Sequence, residues 1–185
     1  MNIEHTLKKY PQWIKAIYKT GSSVLPWIDK SNDIDYVIFV SSLDDSRLYQ
    51  FYEERPKGEC WFVAIDSTIR NPRLYSYERP FEQLLCGEEM PTERYDIFEN
   101  EKEYKACVIQ QALGRPYDNT YKCWYHTLTA IYLFDNGGYF LTEEQKANVV
   151  LCKNKQMTVE LYNFIQTRLK EWQEVHTALS LSNLL

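Results

Sequence analysis

One stretch of the sequence joins two carboxylates to the pattern of a buried strand. Asp33 and Asp35 stand two residues apart, and residues 36–40 that follow are aromatic or β-branched. Because successive side chains of a strand alternate between its two faces, the two acids are predicted to lie on one face, with Ile34 and Tyr36 directed into the core. The chain is therefore expected to build a sheet in which one strand begins with two neighbouring like charges.

The paired acids favour a bound cation. Two ionised carboxylates about 5 Å apart repel each other by roughly 3 kcal/mol at an effective dielectric constant near 20. A divalent cation turns that repulsion into attraction, and Mg²⁺ prefers oxygen ligands while keeping positions open for water or substrate phosphate. Asp-x-Asp also occurs by chance at strand ends whose acids face solvent. The pair taken alone leaves both interpretations open.

A small-residue turn precedes the paired acids. Residues 17–20 are predicted to form a short strand that leads into Gly21 and Ser22, and ten residues separate Ser22 from Asp33. A glycine without a bulky side chain allows backbone N–H groups to approach a phosphate closely. The sequence thus predicts a strand, a Gly-Ser turn, a connection and a carboxylate-bearing strand, in that order.

This order resembles the signature of the DNA polymerase β-like nucleotidyltransferase superfamily. The matching residues are Gly21, Ser22, Asp33 and Asp35. Members of the family also use a third acid on a later, neighbouring strand, and the first apolar segment of this chain that ends in an acid ends at Asp66. The resemblance therefore implies an α+β fold with a metal-dependent active site at these residues.

The resemblance also implies the chemistry. Members transfer a nucleoside monophosphate from a nucleoside triphosphate, such as ATP, to a hydroxyl acceptor and release pyrophosphate, with two Mg²⁺ ions or with Mn²⁺ instead. By analogy, Asp33 and Asp35 would bind both ions, Asp66 would complete the catalytic one, and Gly21 and Ser22 would cradle the β- and γ-phosphates. The sequence departs from many members after Ser22, where it lacks their basic residue and second glycine.

A second, shorter match lies in the C-terminal half. Residues 122–126, Lys-Cys-Trp-Tyr-His, look similar to the start of a helix beside the nucleotide cleft in small bacterial and phage members. The similarity implies that Lys122 binds the triphosphate and that His126, one helical turn later, contacts phosphate or base. The alternatives are a lysine that faces solvent and a histidine buried among aromatic neighbours.

The pattern of apolar residues divides the chain into two regions. We predict a nucleotidyltransferase core over residues 1–105, with a small mixed β-sheet and helices on one face, and a C-terminal helical region over residues 106–185 that packs on the core. The helical region should contain a helix over residues 121–134. Thr142 and Gln145 have the spacing of a capping box at the start of the next helix.

Charge and composition limit the partners. The chain of 185 residues has a formal net charge of −5, which disfavours an extended nucleic-acid footprint because neutralising many phosphates requires a basic face. It contains no run of eighteen apolar residues and no secretory leader pattern, so we expect a cytoplasmic location and no membrane partner. The five cysteines are widely spaced, which predicts reduced, mostly buried thiols and disfavours a zinc site.

These observations predict an enzyme, a metal-dependent nucleotidyltransferase that binds a nucleoside triphosphate. The alternative is a catalytically silent nucleotide-binding or regulatory module with the same fold, because the fold alone does not determine the function. The acceptor can be a small-molecule hydroxyl, a protein side chain or an RNA end. The sequence does not distinguish these acceptors, and it specifies neither the nucleobase nor the oligomeric state.

Overall fold

The computed structural model describes most of the chain as two compact units, Met1–Tyr95 and Asp96–Leu185. The division falls before the predicted one after residue 105, which lies inside the helix Glu101–Leu113. The structure describes residues 5, 8–9, 12–28, 34–43, 45–54, 60–64, 76–90, 96–113 and 120–182, without the side chains of residues 45, 52, 54, 60–64, 120 and 175–182. Of the predicted site residues, Asp33 and Asp66 lie outside this part of the chain.

In the first unit the described residues form a four-stranded mixed sheet, as predicted. Its strands are β1 (Ile14–Thr20), β2 (Asp35–Val40), β3 (Cys60–Ala64) and β4 (Gln83–Gly87). Their order across the sheet is β3-β2-β1-β4. β1 runs antiparallel to both β2 and β4, whereas β2 and β3 are parallel. A parallel pair requires a crossover connection, and helix α1 (Asp45–Glu54) lies in the chain between β2 and β3.

Both faces of β2 are buried, which explains why residues 36–40 form a continuous apolar run. On one face Tyr36, Ile38 and Val40 pack in a cluster with Phe51 of α1. On the other face Val37 and Phe39 pack with Ala16, Tyr18 and Met90. Alternation along β2 therefore sends Asp35 towards the same face as Val37 and Phe39.

The expectation that Ile34 enters the core is wrong. Its side chain is 41% exposed, whereas Tyr36 is 7% exposed. The register explains the difference, because the ladder between β1 and β2 ends at the pair Thr20 and Asp35. Ile34 lies beyond that last pair, and a residue outside the ladder has no cross-strand neighbour on β1 to cover it.

The described part of the second unit is helical. Its helices are α2 (Glu101–Leu113), α3 (Thr120–Asp135), α4 (Glu143–Lys153) and α5 (Val159–Ser182). Buried side chains from all four helices form its core, among them Tyr104, Ile131, Val149 and Trp172. The predicted capping box is present at the start of α4, where the Thr142 side chain accepts from the Gln145 amide and Gln145 bonds back to the Thr142 amide.

The described cysteine side chains are free thiols, and three of these four residues are buried. They are Cys86, Cys107, Cys123 and Cys152, of which Cys86 is partly exposed. Among the described helices none combines the length and the apolar character needed to cross a bilayer.

Candidate active site

The end of β1 and the start of β2 lie side by side. In the antiparallel ladder Thr20 pairs with Asp35 and Lys19 pairs with Tyr36. Because β1 ends at Thr20, the chain turns away at Gly21 immediately beside the first residue of β2. The Gly-Ser turn and one of the two predicted carboxylates are thus brought together by strand pairing.

Gly21 makes direct contact with Asp35. A β-carbon built on Gly21 would stand 2.2 Å from Oδ2 of Asp35 and 3.1 Å from its Cγ, so a side chain at position 21 would displace the Asp35 carboxylate. The backbone of Gly21 also has a φ of +72°, in the left-handed region that favours glycine. Two independent constraints therefore favour glycine, and the carboxylate of Asp35 lies against the Cα of the turn.

The turn after β1 is a 3-10 helix that spans Gly21–Val24. Ser23 helps to close it, because its hydroxyl donates to the carbonyl oxygen of Thr20 at 2.9 Å. The ammonium of Lys19 donates to the carbonyl oxygen of Ser23 at 3.4 Å. Ser22 is half-buried at the second position of the turn. Ser23 stands where many members of the resembling family have a basic residue, and here it stabilises the turn.

A buried polar cluster lies behind the turn, and the sequence did not indicate it. The hydroxyl of Thr20 donates to Oε1 of Glu82 at 2.8 Å, and Nη1 of Arg79 donates to Oε2 of Glu82 at 2.7 Å. The Arg79 guanidinium lies over the rings of Tyr18 and Phe39, 4.8 and 5.0 Å from their centroids. Thr20 and Arg79 are 0% and 2% exposed. In the sequence, Arg79 and Glu82 look like any two charged residues three positions apart on a protein surface, so the pattern does not predict their burial.

The register of β3 determines which of its ends lies near Asp35. Cys60 pairs with Tyr36, and Ala64 pairs with Val40. At about 3.3 Å per residue, the two ends of this five-residue strand are roughly 13 Å apart. The start of β3 therefore lies at the Asp35 end of the sheet, and the opposite end is the one that continues in the sequence towards Asp66.

Among the described residues no group of three or more His, Cys, Asp or Glu side chains is arranged to hold a metal ion. Asp35 is the predicted metal ligand that the structure describes, since Asp33 and Asp66 lie outside the described ranges. The described part of the site thus consists of one carboxylate, the Gly21–Val24 turn and the buried polar cluster behind it.

The two predicted residues of the helical region belong to the second unit. Lys122 is exposed in the first turn of α3. His126 is half-buried one turn later, with its ring centroid 4.1 Å from that of Tyr125. The position of both side chains relative to Asp35 stays a prediction.

Sequence comparison finds no match, either among protein-family models or among curated proteins. Comparison with solved structures finds a neighbour, the crystal structure of spectinomycin adenyltransferase AAD(9) from Enterococcus faecialis with ATP and spectinomycin. The TM-score is 0.60 and the identity 14%, over 91% of this chain and 96% of that chain. A likeness at this identity establishes the fold alone, and this chain has an α+β, nucleotidyltransferase-like fold.

Proposed function

We propose that this protein is a nucleotidyltransferase that moves a nucleoside monophosphate from a nucleoside triphosphate to a hydroxyl acceptor and releases pyrophosphate. One observation carries the proposal: the carboxylate of Asp35 lies against the Cα of Gly21 where β1 ends and the turn begins. This contact joins an acid suited to a divalent cation to a turn suited to phosphate. The structural neighbour, which was solved with ATP, supports a triphosphate as the donor.

The residues present fit a hard divalent cation. Asp35 supplies carboxylate oxygens, Asp33 precedes it by two residues in the sequence, and a third acid is proposed from the region of β3. Two Mg²⁺ ions, or Mn²⁺, would neutralise the triphosphate and lower the pKa of the acceptor hydroxyl. The protein's own part is to hold the carboxylates and to present backbone N–H groups of Gly21 and Ser22 to the phosphates.

The third carboxylate has two candidates in the sequence. Asp66 is the acid that follows the apolar segment, and Glu59 directly precedes Cys60. The parallel register favours Glu59, because Cys60 pairs with Tyr36, the residue after Asp35, whereas Ala64 pairs with Val40. We therefore propose Glu59 as the third acid, with Asp66 as the alternative. Substitution of Glu59 should then lower Mg²⁺-dependent turnover more than substitution of Asp66 does.

The proposed acceptor is the hydroxyl group of a small molecule. The neighbour's acceptor, spectinomycin, is a small molecule, and the net charge of −5 does not favour an extended contact with a polyanion. Incubating a cell extract with α-labelled nucleoside triphosphates and the protein, and then separating the small-molecule, protein and RNA fractions, identifies the acceptor class. Label in the protein or RNA fraction would contradict the small-molecule proposal.

The metal-dependent binding of the triphosphate is tested by calorimetry. ATP should bind the wild-type protein in the presence of Mg²⁺ and at least about tenfold more weakly without it. Asp35→Asn keeps the shape of the side chain and removes its charge, so it should abolish this dependence on Mg²⁺. Glu53→Gln, at an exposed position of α1, is the matched control for loss of one negative charge and should bind as the wild type does.

Two outcomes separate the proposal from its alternative. Metal-dependent ATP binding followed by acceptor-dependent release of pyrophosphate supports the enzyme. Metal-dependent binding without pyrophosphate release under any acceptor fraction indicates the silent nucleotide-binding module. Binding that is unchanged in Asp35→Asn contradicts the assignment of the site.

A further inference from the structure

We propose that Thr20, Glu82 and Arg79 form a positioning network that holds the Gly21 turn against the carboxylate of Asp35. None of the three is proposed to touch the nucleotide or a metal ion. The effect on turnover rests on the proposed function, whereas the effect on the turn itself does not. Arg79 and Glu82 lie in the segment directly before β4, which the sequence pattern did not connect with the site.

The network is a continuous chain of contacts that ends at the turn. Arg79 donates to one carboxylate oxygen of Glu82, and Thr20 donates to the other. Thr20 is the last residue of β1, it is followed directly by Gly21, and it pairs with Asp35 in the ladder. Any change in the position of the Thr20 backbone therefore moves the Cα of Gly21 relative to the Asp35 carboxylate.

The cluster fixes Arg79 from several sides. Its Nη2 donates to the carbonyl oxygen of Met90 at 3.3 Å, and its guanidinium lies over the rings of Tyr18 and Phe39. The amide of Met90 in turn donates to the hydroxyl of Tyr18 at 2.7 Å. Because the planar guanidinium is fixed in this way, its hydrogen bond holds the Glu82 carboxylate in one position. The other oxygen of that carboxylate accepts the hydrogen bond from Thr20 and so fixes the Thr20 side chain.

A purely stabilising role does not explain the composition of this cluster. The side chains of Arg79 and Glu82 are 2% and 0% exposed, and well-packed apolar residues of similar volume are often as stable as a buried ion pair. What a buried ion pair and its hydrogen bonds add is a defined geometry, because each partner must occupy the position that satisfies the other. The geometry fixed here is that of the last residue before the turn.

The network also controls charge near the site. Glu82 is an anion bonded to a residue that pairs with Asp35, and an uncompensated carboxylate there would repel the phosphates of a nucleotide. The ion pair with Arg79 neutralises Glu82 without exposing either charge to solvent. Asp35 can then bind a cation while Glu82, the nearby carboxylate of this cluster, stays neutralised by Arg79.

The central experiment compares two substitutions of Thr20. Thr20→Val keeps the branched shape and removes the hydroxyl, whereas Thr20→Ser keeps the hydroxyl and removes the methyl group. Thr129→Val is the matched control, because Thr129 is also fully buried and donates its hydroxyl to the carbonyl oxygen of Tyr125 in the second unit. Each variant is measured as kcat and as KM for ATP per folded molecule.

We expect Thr20→Val to lower kcat by about tenfold or more with a smaller change in KM, because a misplaced carboxylate chiefly affects the aligned reacting state. Thr20→Ser should remain within about threefold of the wild type, and Thr129→Val within about twofold. A combined Thr20→Val and Glu82→Gln variant should lose no more activity than the more impaired of the two single variants, since Thr20→Val removes a hydrogen bond that Glu82→Gln already alters.

Hydrogen–deuterium exchange tests the network without relying on turnover. Peptides that cover residues 16–24 should exchange about tenfold faster in Thr20→Val than in Thr20→Ser, while peptides from α3 should be unchanged. In Thr129→Val the faster exchange should instead lie in α3. Equal exchange of residues 16–24 in Thr20→Val and the wild type overturns the network. Absence of turnover in the wild type overturns the proposed function and leaves the exchange comparison to decide the network.

Discussion

The Cα of Gly21 lies so close to the carboxylate of Asp35 that a β-carbon at position 21 would stand 2.2 Å from Oδ2. The two residues are fourteen positions apart in the sequence and meet because Thr20 pairs with Asp35 at the end of the β1–β2 ladder. The contact, together with the left-handed φ of Gly21, explains why the turn favours glycine. It also makes the position of the carboxylate sensitive to any change in the turn.

Gly21→Ala should damage the site more than the fold. The left-handed φ costs about 1–2 kcal/mol of unfolding free energy for a residue with a β-carbon. The new methyl group would also displace the Asp35 carboxylate, which is a proposed ligand of the metal ion. The Mg²⁺-dependent affinity for ATP should therefore fall by at least about tenfold. Chemical denaturation and calorimetry measure the two effects separately.

Gly137→Ala is the control for this variant. Gly137 has a similar φ of +62°, but a β-carbon there would meet no atom within 4 Å. It should therefore lose a similar 1–2 kcal/mol, as an approximate range, and keep ATP affinity. Equal ATP affinity in Gly21→Ala and Gly137→Ala would contradict the role of the contact.

The third carboxylate can be identified by paired substitutions. Glu59→Gln and Asp66→Asn each remove one charge while keeping the shape of the side chain. Because the start of β3 pairs beside Asp35 and its end pairs with Val40, we expect Glu59→Gln to lower Mg²⁺-dependent turnover by about 100-fold or more and Asp66→Asn by less than about threefold. Pyrophosphate release against Mg²⁺ concentration measures both. The reverse ranking would assign the third ligand to Asp66.

Lys122→Ala should weaken ATP binding by about 1.5–3 kcal/mol, the range for a charge-assisted hydrogen bond, with little change in unfolding free energy. Lys122 is exposed in the first turn of α3, so its loss leaves no buried group unpaired. Lys170→Ala, at an exposed position of α5, is the control for loss of a surface cation. ATP affinities that are the same in both variants would return Lys122 to an ordinary surface role.

Tyr104→Phe should destabilise the helical unit. The Tyr104 hydroxyl donates to the carbonyl oxygen of Ala130 at 2.8 Å, and the residue is fully buried. Removing this bond between α2 and α3 should cost about 1–1.5 kcal/mol of unfolding free energy. Tyr162→Phe, at a position 42% exposed, should cost less than about 0.5 kcal/mol. Urea unfolding measures the free energy of unfolding of both variants. Equal losses in the two variants would show that the buried hydrogen bond of Tyr104 does not contribute to stability.

Asp96 should make the second unit sensitive to acid. Burial raises the pKa of its carboxyl, but the hydrogen bond from Tyr139 and those from the amides of Glu99 and Phe98 together lower the pKa below its ordinary value. A carboxyl with a depressed pKa in the folded state stabilises the protein above its unfolded-state pKa, and this contribution is lost as the pH falls through the folded-state pKa. Asp96→Asn should therefore flatten the fall in stability below about pH 4. Parallel acid-unfolding curves for wild type and variant would exclude this role.

Several local features of this protein follow from the sequence alone. The apolar run at residues 36–40 predicts a buried strand, the Gly-Ser pair predicts a tight turn, and Thr142 with Gln145 predicts a capping box; all three are present. Each depends on interactions within a few residues: the alternation of side chains along a strand, the permitted backbone angles of glycine and the unpaired amides of a helix start. Such features need no knowledge of which distant segments meet.

The tertiary structure decided the rest. Ile34 is exposed because the ladder ends at Asp35, and the register of β3 against β2 is the basis for the proposal of Glu59 ahead of Asp66. Thr20, sixty-two residues from Glu82, joins it only because β4 pairs with β1. Local sequence determines which residues can form a strand or a turn, but strand order and register depend on the joint burial of all strands. The Asp35–Gly21 contact and the buried network behind it therefore emerge only in the folded sheet.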